Sequence, residues 1–181
     1  MLNTILGSLS GGVAAATGSY ESIASAAGTG SSNTITFSSI PSTYASLQVR
    51  FSGLQVSGAT TITMRLNGDT GTNYSRHLLT GEGGTITVVG AANVNAIAVA
   101  GWNTGASTTY PTVGIIDIHD YASTTKNKTV RIFSGIDINS NGDIELNSGG
   151  YFSTTAITSI DIIGGTWTTS STFALYGIKG A

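Results

Sequence analysis

Alternation constrains this chain more than any other feature. Ile62-Thr63-Met64-Arg65-Leu66 places apolar and polar side chains strictly in turn, and Thr34-Ile35-Thr36-Phe37 and Leu47-Gln48-Val49-Arg50-Phe51 repeat the pattern. In an extended chain successive side chains point to opposite faces, so a period of two marks a strand with one face in the core. Runs rich in apolar and β-branched residues predict further strands at 74–79, 84–89, 94–99, 113–118, 129–133, 144–146, 157–163 and 173–178. Turn chemistry separates them: Asn67-Gly68-Asp69, Gly81-Glu82-Gly83, Asn103-Thr104-Gly105, Asn139 to Gly142, Ser148 to Gly150 and Gly164-Gly165. Glycine and asparagine accept the positive φ values that tight hairpins require. No stretch beyond about ten residues carries a capped 3.6-residue apolar stripe, and residues 120–126 hold at most one helical turn. The expectation is an all-β chain of eight to ten antiparallel strands, folded as a two-sheet sandwich of jelly-roll form. In the last strand, Phe173, Leu175 and Gly177 share one face and Ala174, Tyr176 and Ile178 the other, both apolar. That pattern predicts a central strand or one covered by another subunit.

Composition limits what such a sandwich does. Charged residues are only 9% of the 181, against roughly 25% in a typical soluble domain, and the net charge is −2. The chain holds 28 threonines, 23 serines and 25 glycines, so its solvent face must be clad in small polar side chains. Such a surface suits a protein that lives inside an assembly. Lys and Arg are too few for phosphate-backbone binding, which excludes nucleic acid as a partner. Cysteine is absent, which excludes disulfides and thiolate metal sites. No apolar run reaches the roughly 20 residues of a membrane span. Residues 1–18 carry no Lys or Arg, so the charged start of a secretion signal is missing. Their glycines and alanines bury little area alone. They read as an extended N-terminal arm before a sandwich domain at 19–181, with Leu2, Ile5, Leu6 and Leu9 as its contact residues.

Candidate chemistry is sparse. Asp137, Asn139, Asn141 and Asp143 place oxygen side chains at the spacing of a calcium loop, with Gly142 at its turn position. The twelfth position is Ser148 where a bidentate Glu belongs, so the segment reads first as a hairpin, with calcium the lesser alternative. His119 stands between Asp117 and Asp120, the setting of a general base or a metal ligand, but no catalytic serine elbow or zinc motif accompanies it or His77. Asp143 and Glu145 resemble a paired-carboxylate site in spacing and read instead as a solvated strand face. Lys126-Asn127-Lys128 is a small basic spot. Trp102 and Trp167, in Gly/Thr-rich segments, and Tyr176 are the aromatic interface candidates. No catalytic residue and no cofactor is expected.

Five segments carry a resemblance: residues 19–24 (Ser-Tyr-Glu-Ser-Ile-Ala), 35–44, 66–74 (Leu-Asn-Gly-Asp-Thr-Gly-Thr-Asn-Tyr), 117–129 and 173–180 (Phe-Ala-Leu-Tyr-Gly-Ile-Lys-Gly). In this order the chain resembles a family of small virion proteins of tailed bacteriophages, particularly those of cyanobacteria and marine bacteria. The resemblance implies a component of the phage particle and brings no catalytic motif. With the charge-poor surface and the arm, it points to a cement protein that decorates the capsid exterior and bridges major capsid protein subunits non-covalently. Self-association as a homotrimer, matching capsid threefold axes, is the accompanying expectation. The alternative is a tail-fibre or adhesin module whose loop aromatics stack on a host-surface glycan. Neither reading involves an enzyme, a membrane or nucleic acid.

Overall fold

The computed structural model describes residues 19–56, 61–101, 109–139 and 141–180. Among these residues there is no helix. Twelve strands follow in chain order: β1 (Tyr20–Ala27), β2 (Thr34–Phe37), β3 (Ser46–Gly53), β4 (Ile62–Leu66), β5 (Tyr74–Glu82), β6 (Thr85–Val94), β7 (Ile97–Ala100), β8 (Thr112–His119), β9 (Lys128–Asp137), β10 (Gly142–Tyr151), β11 (Ile160–Ile163) and β12 (Thr172–Ile178). They form two antiparallel sheets. The large sheet runs β1-β12-β3-β8-β9-β10-β5-β6 and the small sheet runs β2-β11-β4-β7.

The order resolves into a jelly roll with two additions. Eight strands cross alternately between the sheets, giving one half β1-β12-β3-β8 and the facing half β2-β11-β4-β7. The β5–β6 and β9–β10 hairpins are inserted between these crossings. Both join the large sheet beyond β8, so that sheet outgrows its partner. The core lies between the two halves, where Leu47, Val49, Ile62, Met64, Leu66, Ile116, Ile118, Ile160, Ile162 and Leu175 are fully buried. β12 is central, as its two apolar faces predict: Phe173 and Leu175 point into the core, while Ala174, Tyr176 and Ile178 are half-buried on the outer side.

The structure departs from the sequence reading at several places. Gly149 and Gly150 lie inside β10 and not at a turn. A Cβ at Gly149 would sit 2.5 Å from Ile97 Cγ2, so the glycine makes room for β7 crossing beneath. Residues 120–126 form a hydrogen-bonded turn, Ser123 N–H to the Asp120 carbonyl at 2.9 Å, and no helical turn. β1, which has no strict alternation, was not anticipated as a strand. Trp167, expected at an interface, is fully enclosed in the core. Its indole stands edge-on to Phe173 with ring centroids 5.0 Å apart, and Gly53, Gly28 and Gly164 wall it so closely that a Cβ at any of them would come within 2.8 Å of Trp167 itself or of its neighbour's backbone. The expected arm, with Leu2, Ile5, Leu6 and Leu9, and the candidate Trp102 lie outside the described residues.

Candidate docking surface

The two inserted hairpins build the most unusual surface of the molecule. Their register aligns side chains in rows across the outer face of the large sheet. One row runs through directly paired positions Ile115 (β8), Phe133 (β9), Leu146 (β10), Leu79 (β5) and Val88 (β6). The next runs through Val113, Gly135, Ile144, Gly81 and Ile86. At about 4.8 Å per strand, each row spans roughly 19 Å. All eight non-glycine side chains are exposed, from 39% at Ile115 to 75% at Ile86. Period-two alternation normally turns the outward set polar; here it is apolar on β8, β9 and β10 together. Each side chain leaves on the order of 100 Å² exposed, so the face totals on the order of 800 Å². That exceeds the roughly 300–600 Å² of the largest apolar patch on a typical monomer and equals one partner's share of a standard interface. The two glycines notch the second row and open a shallow trough lined by Val113, Ile115, Phe133 and Ile144.

A polar row borders this face. Asp117, Arg131, Ser148 and His77 follow one another across β8, β9, β10 and β5. Asp117 Oδ1 accepts a hydrogen bond from Gln48 Nε2 at 2.7 Å, and Gln48 Oε1 accepts one from Arg50 Nε at 2.7 Å. The Arg50 guanidinium lies between two rings, 5.1 Å from the Tyr176 centroid and 5.2 Å from that of Tyr20. Tyr176 is therefore on the same outward side as the apolar rows. The residues flanking His119 are committed elsewhere, Asp117 to Gln48 and Asp120 to Lys126 at 3.1 Å. His77 and His119 lie three strands apart in the sheet, and no acid–base pair assembles around them among the described residues.

The inward side of the same hairpins is polar where a core is expected. Asp143 and Glu145, read from the sequence as a solvated pair, are buried, Glu145 at 1% exposure. The cause is β7. This short strand is the edge of the small sheet, and β9 and β10 pass over it. Its unpaired backbone groups take side-chain partners from the opposite sheet. Gly101 N–H donates to Glu145 Oε1 at 3.0 Å, and the Val99 carbonyl accepts from Ser134 Oγ at 2.8 Å and Asn147 Nδ2 at 3.3 Å. Asn147 Nδ2 also reaches Glu145 Oε2 at 3.1 Å. Beside them, burial pushes the Asp143 carboxyl up to about 6, helped by the nearby charges of Glu145 and Glu82, against a lowering hydrogen bond from the Ile136 backbone.

The hairpin reading of residues 137–145 holds: Asp137 Oδ1 caps the Asn139 N–H at 2.9 Å, and the Ile138 N–H meets the Asn141 carbonyl at 2.8 Å. As a calcium set these residues do not converge. Asp137 faces the outer side of the sheet and Asp143 the inner, and no group of three or more metal-binding side chains forms among the described residues. Lys128 is no surface cation either. It is 1% exposed, and its ammonium donates to the Ser123, Lys126 and Ser153 carbonyls at 2.7, 3.0 and 3.1 Å.

The fold and surface define an all-β sandwich with a broad exposed apolar face and without a convergent reactive centre among the described residues. Comparison with family models, with curated proteins and with solved structures finds no match.

Proposed function

We propose that this chain is a structural subunit of a bacteriophage particle, a cement protein that binds the exterior of the capsid through the outer face of its large sheet. The observation carrying the reading is the charge-free apolar face across β8, β9, β10, β5 and β6, on the order of 800 Å² in a chain otherwise clad in threonine and serine. Exposed apolar area of that size is retained where a partner covers it. Several kcal/mol of association energy follow from burying it, even after the cost of immobilising two bodies. The partner is the major capsid protein, contacted non-covalently. A cement role asks for stiffness, and backbone ladders across eight strands with a packed second sheet supply it. The glycan-binding alternative relied on loop aromatics; one of them, Trp167, is enclosed in the core, and Trp102 lies outside the described residues.

The test uses particles stripped of the protein. Wild-type chain added back should bind them, and the double variant Phe133→Lys, Leu146→Asp, whose new charges are of opposite sign across a direct pair, should fold normally and fail to bind. Undiminished binding by the double variant, or absence of the protein from purified particles by mass spectrometry, overturns the reading.

A further inference from the structure

The large sheet ends in two edges, and they are built differently. At β1 the edge is blunted. A bulge breaks its register between Ser22 and Ala24, and Glu21 pairs with Lys179 at 2.8 Å beside it. Bulges and charges are the ordinary means of keeping a strand edge from recruiting another strand. β6 carries a bulge only at its far end, where Asn93 takes a positive φ of 55° between Ala92 and Val94. Before it, residues 85–92 contain no charged residue and no proline, and their pairing with β5 runs without a break from Glu82↔Thr85 to Ser75↔Ala92. Among the described residues no strand pairs with the outer edge of β6. Because the large sheet outgrows the small one, β6 is bare on both faces: Ile86 and Val88 on one side, at 75% and 73% exposure, and Val89 on the other at 39%.

We infer that β6 pairs antiparallel with β6 of a second copy of this chain, joining two large sheets edge to edge across a twofold axis. The eight unbroken residues 85–92, at about 3.4 Å each, give a seam of roughly 27 Å, long enough for about eight backbone hydrogen bonds. A twofold axis sets the strand against its own reverse, so any charge in it would face itself or a near neighbour. A strand without charges is the sequence that such pairing tolerates. Apolar side chains on both faces then meet their own kind on both faces. The outer apolar rows of the two copies also become continuous through Val88 and Ile86. The occupant is thus a second copy, which by construction offers an open edge of equal length and matching pattern, and the assembly is a dimer in place of the homotrimer expected from the sequence. The inference builds on the docking surface but uses the strand edge and not its face.

The experiment changes the edge and leaves the outer face intact. Thr87→Lys with Val89→Lys places charges on the inward side of β6, beyond the small sheet, where both positions are exposed. Analytical ultracentrifugation should show a dimer for wild type and at least about tenfold weaker association for the lysine variant, with an unchanged circular dichroism spectrum, because like charges set opposite each other destabilise a sheet. A Thr87→Lys, Val89→Lys copy mixed with a Thr87→Glu, Val89→Glu copy should associate again. In the dimer, alternate β6 amides should exchange hydrogen slowly, and in the lysine variant quickly. A monomeric wild type, an oligomer unaffected by the lysines, or β6 amides that exchange quickly in the dimer would overturn the inference. Particle binding by the lysine variant, measured separately, tells a failure of the edge from a failure of the face.

Discussion

Lys128 and Asp143 show how a residue's neighbours decide its role. Lys128 sits beside Lys126 in the sequence, yet one is an exposed partner of Asp120 and the other a buried tie for three carbonyls. Lys128→Met keeps the stem and removes the ammonium. It should destabilise the fold by about 2 kcal/mol in chemical denaturation, since three part-buried carbonyls lose their donor at once. Asp143 makes the opposite prediction. Its carboxyl is raised to about 6 in the folded state, chiefly by burial, and lies near 3.8 when unfolded. The folded chain therefore holds more protons than the unfolded chain between these values, and this group's contribution to stability falls as pH rises from about 4 to about 6. Asp143→Asn should raise stability at pH 7 by on the order of 2 kcal/mol, with the gain vanishing below about pH 4. Equal stabilisation at pH 3.5 and pH 7 in paired denaturation curves would contradict the assignment. Neither role was legible in the sequence, because the pocket of Lys128 is completed by Ser153, 25 positions on, and Asp143 faces the inner side of the sheet only through the register of β9 and β10.

Strands with strict alternation were readable. β2, β3 and β4 fall where the period of two places them, and the Asn67-Gly68-Asp69 turn has Asn67 at φ 55° and Gly68 at φ 63°. β10 was read as a three-residue strand because Ser148-Gly149-Gly150 looks like a turn. In fact its glycine answers a crossing strand. Gly149→Ala should cost roughly 1–3 kcal/mol, as the new methyl overpacks against Ile97. β7 was misplaced for a related reason: all four of its residues are buried, so no alternation marks it. Within β12 the two faces make separable predictions. Phe173→Ala should cost about 3–5 kcal/mol, since the ring is enclosed between Phe51 and Trp167. Tyr176→Ala should cost well under half of that, because Tyr176 is half-buried on the outer side over Arg50. Equal losses in thermal or urea melts would mean that the outer side of β12 is packed as core.

At the scale of the whole molecule, the two-sheet class followed from alternation and turn spacing, while the large size of one sheet did not. Nothing in 74–94 or 128–151 says that these hairpins join β8's side of the same sheet; that depends on β5 meeting β10, residues roughly seventy positions apart. The outward apolar rows were hidden for the same cause. Ile115, Phe133 and Leu146 each look like ordinary strand residues until the register lines them up. Because they face outward and pair directly across two strands, Phe133→Lys with Leu146→Asp should change folding stability by only about 0.5 kcal/mol while sharply reducing binding of a hydrophobic dye. A large loss of stability would show that the face is covered within the monomer.

The unequal edges of the large sheet carry a consequence for growth. A sheet open at both ends adds subunits without limit and becomes a fibre. A sheet open at one end stops after a single addition, because the joined pair presents only its two blunted ends. The bulge at Ser22 and Ala24 and the ion pair of Glu21 with Lys179 thus act as a terminator. On the pairing inferred above, they confine a charge-poor chain to a closed pair of copies in place of an open fibre.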